Sequence, residues 1–347
     1  MKSGMKPIPA LLPISWLYAL GVVLWNLLFD WKILRVGRVN VPVISVGNIT
    51  TGGTGKTPVV ESIARLMEDE KLRCAIVSRG YRRATRGLVE VSDGAKVKAS
   101  SQDAGDEAYQ LATRLPGTIV VVDEDRLRGA QHAVRLGASV IVLDDGFQHR
   151  RLHRDLDIVC MDVSYPAFRM PMLPAGYRRD TLSSLVRADV VLVTIVSTTD
   201  NLDKLRSTLS RYSKAKVFTS QYKVLSFRRA KTRFSVDLAG VKGKQAVAFC
   251  GIGQPDSFRK SLEGLGLRIN ALMAFSDHHS YTDEDLRSVL SEQERSKAEY
   301  IVTTEKDLAR LASNRFIVDH PVFYIEMEMK IDQEKEWIAL MKSANKG

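Results

Sequence analysis

Short apolar runs alternate with amphipathic segments along most of this chain. The run VPVISVGN (41–48) is typical of a buried strand, and apolar residues recur at helical spacing in 58–70. Further strand-like runs, separated by helical segments, lie at 74–78, 118–125, 140–143, 156–162 and 188–196. This alternation predicts an α/β fold with a mostly parallel sheet that is covered by helices on both faces.

The composition changes at 226–243, where the chain becomes basic and its pattern is broken, as in a linker or short strands. A second, smaller set of strands and helices follows it. We therefore predict three parts: an apolar N-terminal helix (1–38), a phosphate-binding core (39–225), and a hinge with a smaller C-terminal α/β lobe (226–347).

The N-terminal segment has no charged residue between Pro7 and Phe29. Small or polar residues form one helical stripe: Ser15, Ala19, Val22, Asn26 and Asp30. Large apolar residues form the other: Leu17, Leu20, Leu24, Leu27, Trp31 and Leu34. Tryptophans and flanking cations are typical of a membrane interface: Trp16, Trp25, Trp31, Lys2, Lys6, Lys32, Arg35 and Arg38. The pattern favours a helix lying at the interface, with a membrane span and a buried core helix as alternatives.

The 347 residues carry a formal net charge of +11, which favours an anionic partner. Nucleic acid, an acidic membrane surface and a phosphorylated substrate all fit this charge. Cys74, Cys160 and Cys250 are far apart and lack metal-ligand spacing, so we expect buried, reduced thiols.

A phosphate-binding loop is predicted at TTGGTGKT (50–57), between the first strand and the helix after it. Its backbone N–H groups and the helix N-terminus would surround the phosphates of ATP. Lys56 would reach the β- and γ-phosphates, and the Thr57 hydroxyl would hold Mg²⁺. The usual first glycine of such a loop is replaced by Thr50. The nucleotide-binding residues predicted here are Thr50, Thr51, Gly52, Gly53, Thr54, Gly55, Lys56 and Thr57.

Acidic and basic residues follow two of the predicted strands. Asp144 and Asp145 end the apolar run at 140–143, which is a Walker-B arrangement in which one carboxylate holds Mg²⁺. Four arginines leave the end of the strand at 74–78, where ligands of α/β proteins bind: Arg79, Arg82, Arg83 and Arg86. We expect this loop to contact phosphate.

Seven motifs in this order resemble the tetraacyldisaccharide 4′-kinase family, which phosphorylates the lipid A precursor of Gram-negative bacteria. They are SVGNITTGGTGKTP (45–58), SRGY (78–81), GDE (105–107), LDDGFQHRRLHRDLDIV (143–159), LPAG (173–176), SDHH (276–279) and TTEKD (303–307). The resemblance covers nearly the whole chain, including the apolar N-terminal helix. It implies transfer of the ATP γ-phosphate to the 4′-hydroxyl of a tetraacyldisaccharide 1-phosphate, giving lipid IVA. It also implies a P-loop core joined by a hinge to a smaller lobe.

The resemblance assigns roles to individual residues of this chain. Asp106 and His278 look like the catalytic pair that activates the sugar hydroxyl, and Asp144 and Asp145 like the metal-binding acids. Substrate or active-site positions are implied for Ser78, Arg79, Tyr81, Glu107, Gln148, His149 and Arg179. Departures from the family pattern occur at Arg82, at 177–180, and at His279, which leaves open which histidine acts.

Two other classes of protein share some of these features. A membrane-associated ATPase of the partitioning type would place a lysine where this chain has Thr51. A nucleic-acid-binding P-loop protein would need aromatic-rich basic surfaces, which are not evident. We therefore expect a monomer on the cytoplasmic face of the bacterial inner membrane, peripheral or with a single span, that contacts anionic lipid and no nucleic acid.

Overall fold

The structure is a computed structural model that describes residues 7–51, 54–162, 168, 170–195, 199–253, 255–276, 279–311 and 315–344. The chain divides into two compact units. The larger contains the chain up to Gln221 and again from Met329 onward, and the smaller contains Tyr222–Glu328. The predicted division had grouped the last residues with the smaller lobe.

The C-terminal helix lies in the larger unit because its side chains pack there. Trp337 meets the ring of Phe218 edge to face at 5.4 Å, and Lys342 forms an ion pair of 2.8 Å with Glu70. Trp337 is almost completely buried.

A parallel sheet forms the centre of the larger unit. Its strands are β1 (Val43–Gly47), β2 (Cys74–Ser78), β3 (Val89–Asp93), β4 (Ile119–Val122), β5 (Val140–Asp144), β6 (Leu156–Asp162), β7 (Val190–Ile195) and the first part of β8 (Lys216–Arg229), whose residues from Tyr222 onward belong to the smaller unit. They lie in the order β3-β4-β2-β5-β1-β6-β7-β8, and β3 is antiparallel to its neighbour. Strands β1, β2, β4, β5 and β6 are buried throughout, as expected of a sheet covered on both faces.

The larger unit contains seven of the helices described here. They are α1 (Leu12–Asp30), α2 (Lys56–Asp69), α3 (Ser101–Ala104), α4 (Asp106–Arg114), α5 (Arg126–Arg135), α6 (Thr199–Leu209) and, at the C-terminus, α11 (Glu334–Ala344). The apolar face of α2 is buried, and α5 contributes Ala130 and Ala133 to the core under β2 and β4. The Asp125 side chain caps α5 by accepting from the N–H groups of Leu127 and Arg128.

The smaller unit has four neighbouring parallel strands, β11 (Arg268–Ala274), β10 (Gln245–Cys250), β12 (Tyr300–Thr304) and β13 (Val322–Ile331), in that order. Its elements are β9 (Ser235–Val236), β10 (Gln245–Cys250), α7 (Pro255–Gly264), β11 (Arg268–Ala274), α8 (Asp283–Ser296), β12 (Tyr300–Thr304), α9 (Glu305–Arg310), α10 (Phe316–Asp319) and β13 (Val322–Ile331). Stacked rings of Phe227 and Phe323, 5.1 Å apart, lie in its core. In the TTEKD motif, Thr304 caps α9 and its hydroxyl donates to the buried Asp307.

The N-terminal helix α1 turns its polar stripe toward the protein. Ser15 is buried, and the Asn26 amide donates to Asp180 and to Ser184. Arg150 donates to the Asn26 carbonyl at 2.9 Å and pairs with Asp30 at 2.6 Å.

The apolar stripe of α1 faces outward. Leu17, Leu20, Leu24 and Trp31 are between 51% and 70% exposed, whereas Leu27 and Leu34 are half-buried. The segment Pro9–Asp30 is long and apolar enough to cross a membrane. The exposure of this face contradicts the buried-core-helix alternative.

The predicted fold class is confirmed: a mostly parallel α/β core accompanies a second, smaller α/β unit and an apolar N-terminal helix. The three cysteines are free and buried, as expected.

Candidate functional site

The carboxyl ends of β1, β2 and β5 meet at one edge of the larger unit's sheet. Strand β1 lies between β5 and β6. The chain continues from β1 toward one side of the sheet and from β5 toward the other, so the loop after β1 lies at a topological switch point. Ligands of open α/β sheets bind at such a position. The loop after β1 is the predicted phosphate-binding loop.

The described part of that loop is held firmly on both sides of Gly52 and Gly53, which themselves lie outside the described residues. The Thr51 N–H donates to the Tyr177 carbonyl at 2.7 Å. The Thr54 hydroxyl accepts from the Asn48 amide at 2.8 Å, and the Thr54 carbonyl accepts from the Thr194 hydroxyl at 2.7 Å. These contacts fix where the chain enters and leaves the loop.

Helix α2 begins at Lys56, directly after Gly55. Gly55 has φ +74°, a left-handed conformation that glycine adopts at little cost, and no side chain in the described part of the chain caps the helix there. The first-turn N–H groups are therefore available to an anion, with the positive end of the helix dipole behind them.

Asp145 lies between two cations at this helix end. Lys56 Nζ is 3.5 Å from Asp145 Oδ1, and both terminal nitrogens of Arg179 donate to the same carboxylate. Arg179 also donates to the Asn48 side-chain oxygen. Burial alone would raise the pKa of Asp145, but the hydrogen bonds from Arg179 and the charge of Lys56 lower it well below its usual range.

Asp144 is more deeply buried than Asp145, and its negative charge is less well offset by neighbouring cations and hydrogen bonds. The Ser78 hydroxyl donates to its Oδ2 at 3.1 Å. Burial raises the pKa of Asp144 to about 6, with further contributions from the negative charges of Glu107 and Asp145, while Lys56 acts in the opposite direction. Its negative charge is thus only partly balanced by the residues around it.

The donor set fits Mg²⁺. A hard cation prefers carboxylate and hydroxyl oxygens and takes few protein ligands when nucleotide phosphates and water supply the rest. Asp144 supplies a buried carboxylate whose charge Lys56 offsets only in part, and Thr57 supplies a hydroxyl on the first turn of α2. Within the described residues no group of three or more His, Cys, Asp or Glu side chains could form an all-protein metal cage.

The SRGY and GDE loops pass each other closely at the end of β2. A Cβ atom on Gly105 would lie 2.8 Å from the Tyr81 carbonyl oxygen, and one on Gly80 would lie 2.8 Å from the Ala104 carbonyl oxygen. Helix α4 starts directly after this contact. Its first residue, Asp106, is exposed, and Glu107 is half-buried. Arg79 and Tyr81 are exposed on the same loop.

Gln148 and His149 have partners within the protein. The Gln148 amide donates to the Asn48 carbonyl at 2.9 Å and to Asp180 at 3.3 Å. His149 is half-buried, and burial together with the charge of Arg126 lowers its pKa to about 4. Its Nε2 has no hydrogen-bond partner among the residues that the structure describes.

Sequence reasoning missed Asn48 and Arg126. Asn48 orients both Thr54 and Arg179. The only feature of the sequence that pointed to it is its position between the first strand and the glycine loop. Arg126 is 4% exposed, and burial lowers its pKa while the charges of Asp145 and Asp144 oppose this shift. At the start of an amphipathic helix, an arginine gives no sequence sign that it is buried.

The structure brings some of the predicted site residues into contact with one another. Lys56, Asp145 and Arg179 are in direct contact, and Ser78 binds Asp144. The predicted catalytic His278 lies outside the described residues, so its pairing with Asp106 stays a prediction.

His279, the other histidine of SDHH, is engaged within the smaller unit. It bonds to Asp285 at 2.9 Å and stacks on Phe275 at 4.8 Å. Asp285 also completes the capping box of α8 with Thr282.

Comparison with known proteins gives consistent results along the whole chain. A family model described as tetraacyldisaccharide-1-P 4′-kinase (LpxK) matches residues 8–346. A tetraacyldisaccharide 4′-kinase of Chlorobaculum parvum is 43% identical over 313 residues, covering 87% of this chain and 84% of that protein. The corresponding protein of Syntrophus aciditrophicus is 38% identical over 336 residues, covering 93% and 89%.

Among solved structures, LpxK from Aquifex aeolicus in complex with ATP is similar, with a TM-score of 0.77 and 33% sequence identity. The match covers 97% of this chain and 98% of that one.

The parallel sheet, the loop before α2 and the acids at the end of β5 define an ATP-dependent P-loop kinase. Within that class, the chain belongs to the tetraacyldisaccharide 4′-kinase family.

Proposed function

We propose that this protein transfers the γ-phosphate of ATP to the 4′-hydroxyl of tetraacyldisaccharide 1-phosphate, giving lipid IVA in lipid A biosynthesis. Family membership supports this reaction. The observation that carries it is the cluster of Lys56, Arg179 and Asp145 at the uncapped start of α2, beside the buried Asp144. Phosphoryl transfer depends mainly on such positioning and charge neutralisation.

Lys56 and Arg179 supply the positive charge for the transferred phosphate. Both cations face Asp145 in this structure, and incoming phosphate oxygens would compete with that carboxylate for them. The backbone of Thr50–Gly55 and the first turn of α2 would surround the β-phosphate. Asn48 keeps Arg179 oriented during this exchange because it binds the same guanidinium.

Thr57, Asp144 and Asp145 would hold Mg²⁺, directly or through water. When bound, the ion would neutralise negative charge that develops during phosphate transfer. Ser78 would orient Asp144 by its hydrogen bond, while Glu107 adds negative charge nearby.

Asp106 would accept the proton of the sugar hydroxyl, which is a poor nucleophile at neutral pH. Its exposure at the start of α4 leaves the carboxylate accessible to a substrate. His278 would strengthen or orient it as its partner. Arg79, Tyr81, Gln148 and His149 remain proposed substrate positions, of which Arg79 and Tyr81 present exposed side chains.

The outward apolar face of α1 would lie in the anionic surface of the inner membrane. Its opposite face is hydrogen-bonded to other residues of the larger unit. These polar contacts support an interfacial helix over a span, because a span would require them to break. Since the ATP site needs cytoplasmic nucleotide, the protein would act as a peripheral monomer on the cytoplasmic face, without binding nucleic acid.

The direct test uses the full chain with MgATP and a tetraacyldisaccharide 1-phosphate in mixed micelles. We expect mass spectrometry to show a gain of one phosphate, and fragmentation to place it on the sugar that lacked one. Hydrolysis of ATP at an equal rate without lipid, or phosphate on the other sugar, would overturn the proposal.

A further inference from the structure

Helix α1 is bound to the chain segment that carries Arg179, here called the Arg179 segment (172–180). The Ala175 N–H donates to the Ser15 hydroxyl at 2.9 Å. Three residues after Ser15, the Tyr18 hydroxyl donates to the backbone carbonyl of Arg179 at 3.0 Å. The apolar helix therefore reaches the backbone of a residue whose side chain lies in the phosphate site.

The backbone of Arg179 is held from two sides. Its N–H donates to the Ile49 carbonyl at 2.9 Å, which ties it to the chain just before the phosphate-binding loop. Its carbonyl accepts from Tyr18, which ties it to α1. Between these two bonds the side chain extends to Asp145 and Asn48.

A guanidinium aligned on a carboxylate at two points is sensitive to small movements of its own backbone. Displacements of about 1 Å in groups that position a reacting phosphate can lower rates by roughly 10²-fold. Tyr18 is half-buried, and its hydroxyl bonds to the backbone carbonyl of Arg179 rather than to a side chain of the phosphate site.

We propose that Tyr18 is a positioning residue that fixes Arg179 in the phosphate site, so that the membrane-facing helix is also a structural part of the catalytic site. This inference rests on the proposed function, in which Arg179 binds the transferred phosphate. It concerns the inner face of α1 and is independent of how the outer face meets lipid.

The test is Tyr18→Phe in the full chain, which keeps the ring and removes only the hydroxyl. We expect kcat to fall by about tenfold because Arg179 is less well aligned. The melting temperature, the KM for lipid and binding to phosphatidylglycerol-containing vesicles should stay unchanged. Ser15→Ala is the matched control, because it removes a bond from α1 to the same segment at Ala175, and its kcat should change less than about twofold.

A double-mutant cycle shows whether Tyr18 acts through Arg179. In an Arg179→Ala background, Tyr18→Phe should lower kcat by less than about twofold, since the group it positions is gone. An equal loss in both backgrounds, a loss confined to lipid KM or vesicle binding, or an equal loss in Ser15→Ala would overturn the inference.

The wild-type protein in the same assay reports on the proposed function separately. If it transfers no phosphate to the lipid, that function fails. The affinity of the same four proteins for MgATP is then measured by calorimetry. We expect the effects of Tyr18→Phe and Arg179→Ala on this affinity to be non-additive, and additive effects would overturn the role of Tyr18.

Discussion

Lys56 Nζ lies 3.5 Å from Asp145 Oδ1, so the lysine of the phosphate-binding loop is already paired with a carboxylate. Arg179 binds the same carboxylate from another direction. Asp145 thereby holds in position the two cations that would bind phosphate, and it partly balances their charge in the absence of nucleotide. Removal of either cation should affect chemistry more than folding, because the other cation still balances the charge of Asp145.

Lys56→Ala should lower kcat by roughly 10²–10³-fold, the usual loss when one fixed charge is removed from a transition state. Thermal melting should be little changed, because Asp145 retains Arg179. Lys96→Ala, at an exposed lysine, is the control and should keep full activity. Steady-state kinetics with the lipid acceptor measures both, and a Lys56→Ala enzyme with near-normal kcat contradicts the phosphate-binding loop.

Asp144→Asn should stabilise the metal-free protein while abolishing transfer. The folded protein raises the pKa of Asp144 from 3.8 to about 6, so it binds this proton more tightly than the unfolded chain does. The free energy of unfolding therefore falls as pH rises through this range, and the penalty is fully present at pH 7.

Urea denaturation in EDTA should show a gain of about 2 kcal/mol for Asp144→Asn at pH 7. At pH 4 the gain should largely disappear, because the wild-type carboxyl is then protonated in the folded protein. A gain that is the same at both pH values would mean that the charge of Asp144 is not its source.

Gly105→Ala should reduce both stability and activity. Gly105 has φ +86° and ψ 148°, a region open almost only to glycine, and a Cβ atom there would lie 2.8 Å from the Tyr81 carbonyl oxygen. We expect a loss of about 1–3 kcal/mol in the free energy of unfolding. The kcat should also fall, because Asp106 follows directly. Gly240→Ala is the control, since nothing lies within 4 Å of its added methyl group.

Leu17→Ser with Leu24→Ser should weaken binding to vesicles containing phosphatidylglycerol by roughly tenfold. Both side chains are more than half exposed on the outward face of α1. Val97→Ser removes an exposed apolar side chain elsewhere and should leave binding unchanged. Sedimentation with vesicles distinguishes the two, and equal binding by all three proteins would contradict an interfacial helix.

Asp106→Ala and His278→Ala should each lower kcat by roughly 10²–10⁴-fold, the usual contribution of a general base. If they act as one unit, the double variant should be little worse than the poorer single variant. ATP affinity should stay the same, because neither residue is assigned to nucleotide. Losses that multiply, or a comparable loss in His279→Ala, would show that the predicted pairing is incorrect.

The strands and the phosphate-binding loop could be predicted because their signals are local. Buried parallel strands appear as continuous apolar runs, and the loop is recognised by glycines followed by Lys56 and Thr57. The contacts that organise the site are not local. Arg179 reaches Asp145 across 34 positions and Asn48 across 131, which spacing along a sequence does not indicate.

The orientation of α1 also required the structure. The sequence separates a polar stripe from an apolar one but does not show which stripe the protein covers. In a soluble amphipathic helix the apolar stripe would be buried. Here Ser15, Tyr18 and Asn26 meet the protein instead, because partners for their polar groups come from the distant segment that includes Ala175 and Asp180.

The return of the chain to the larger unit after Met329 has a consequence for its synthesis. On the ribosome, Tyr222–Glu328 emerges before the residues that complete the nucleotide-binding unit, so the smaller unit has its full sequence first. Trp337 can cover Phe218 only after the chain has been synthesised beyond residue 337. A nascent chain that stops at residue 328 would leave that aromatic surface open to solvent and to chaperones.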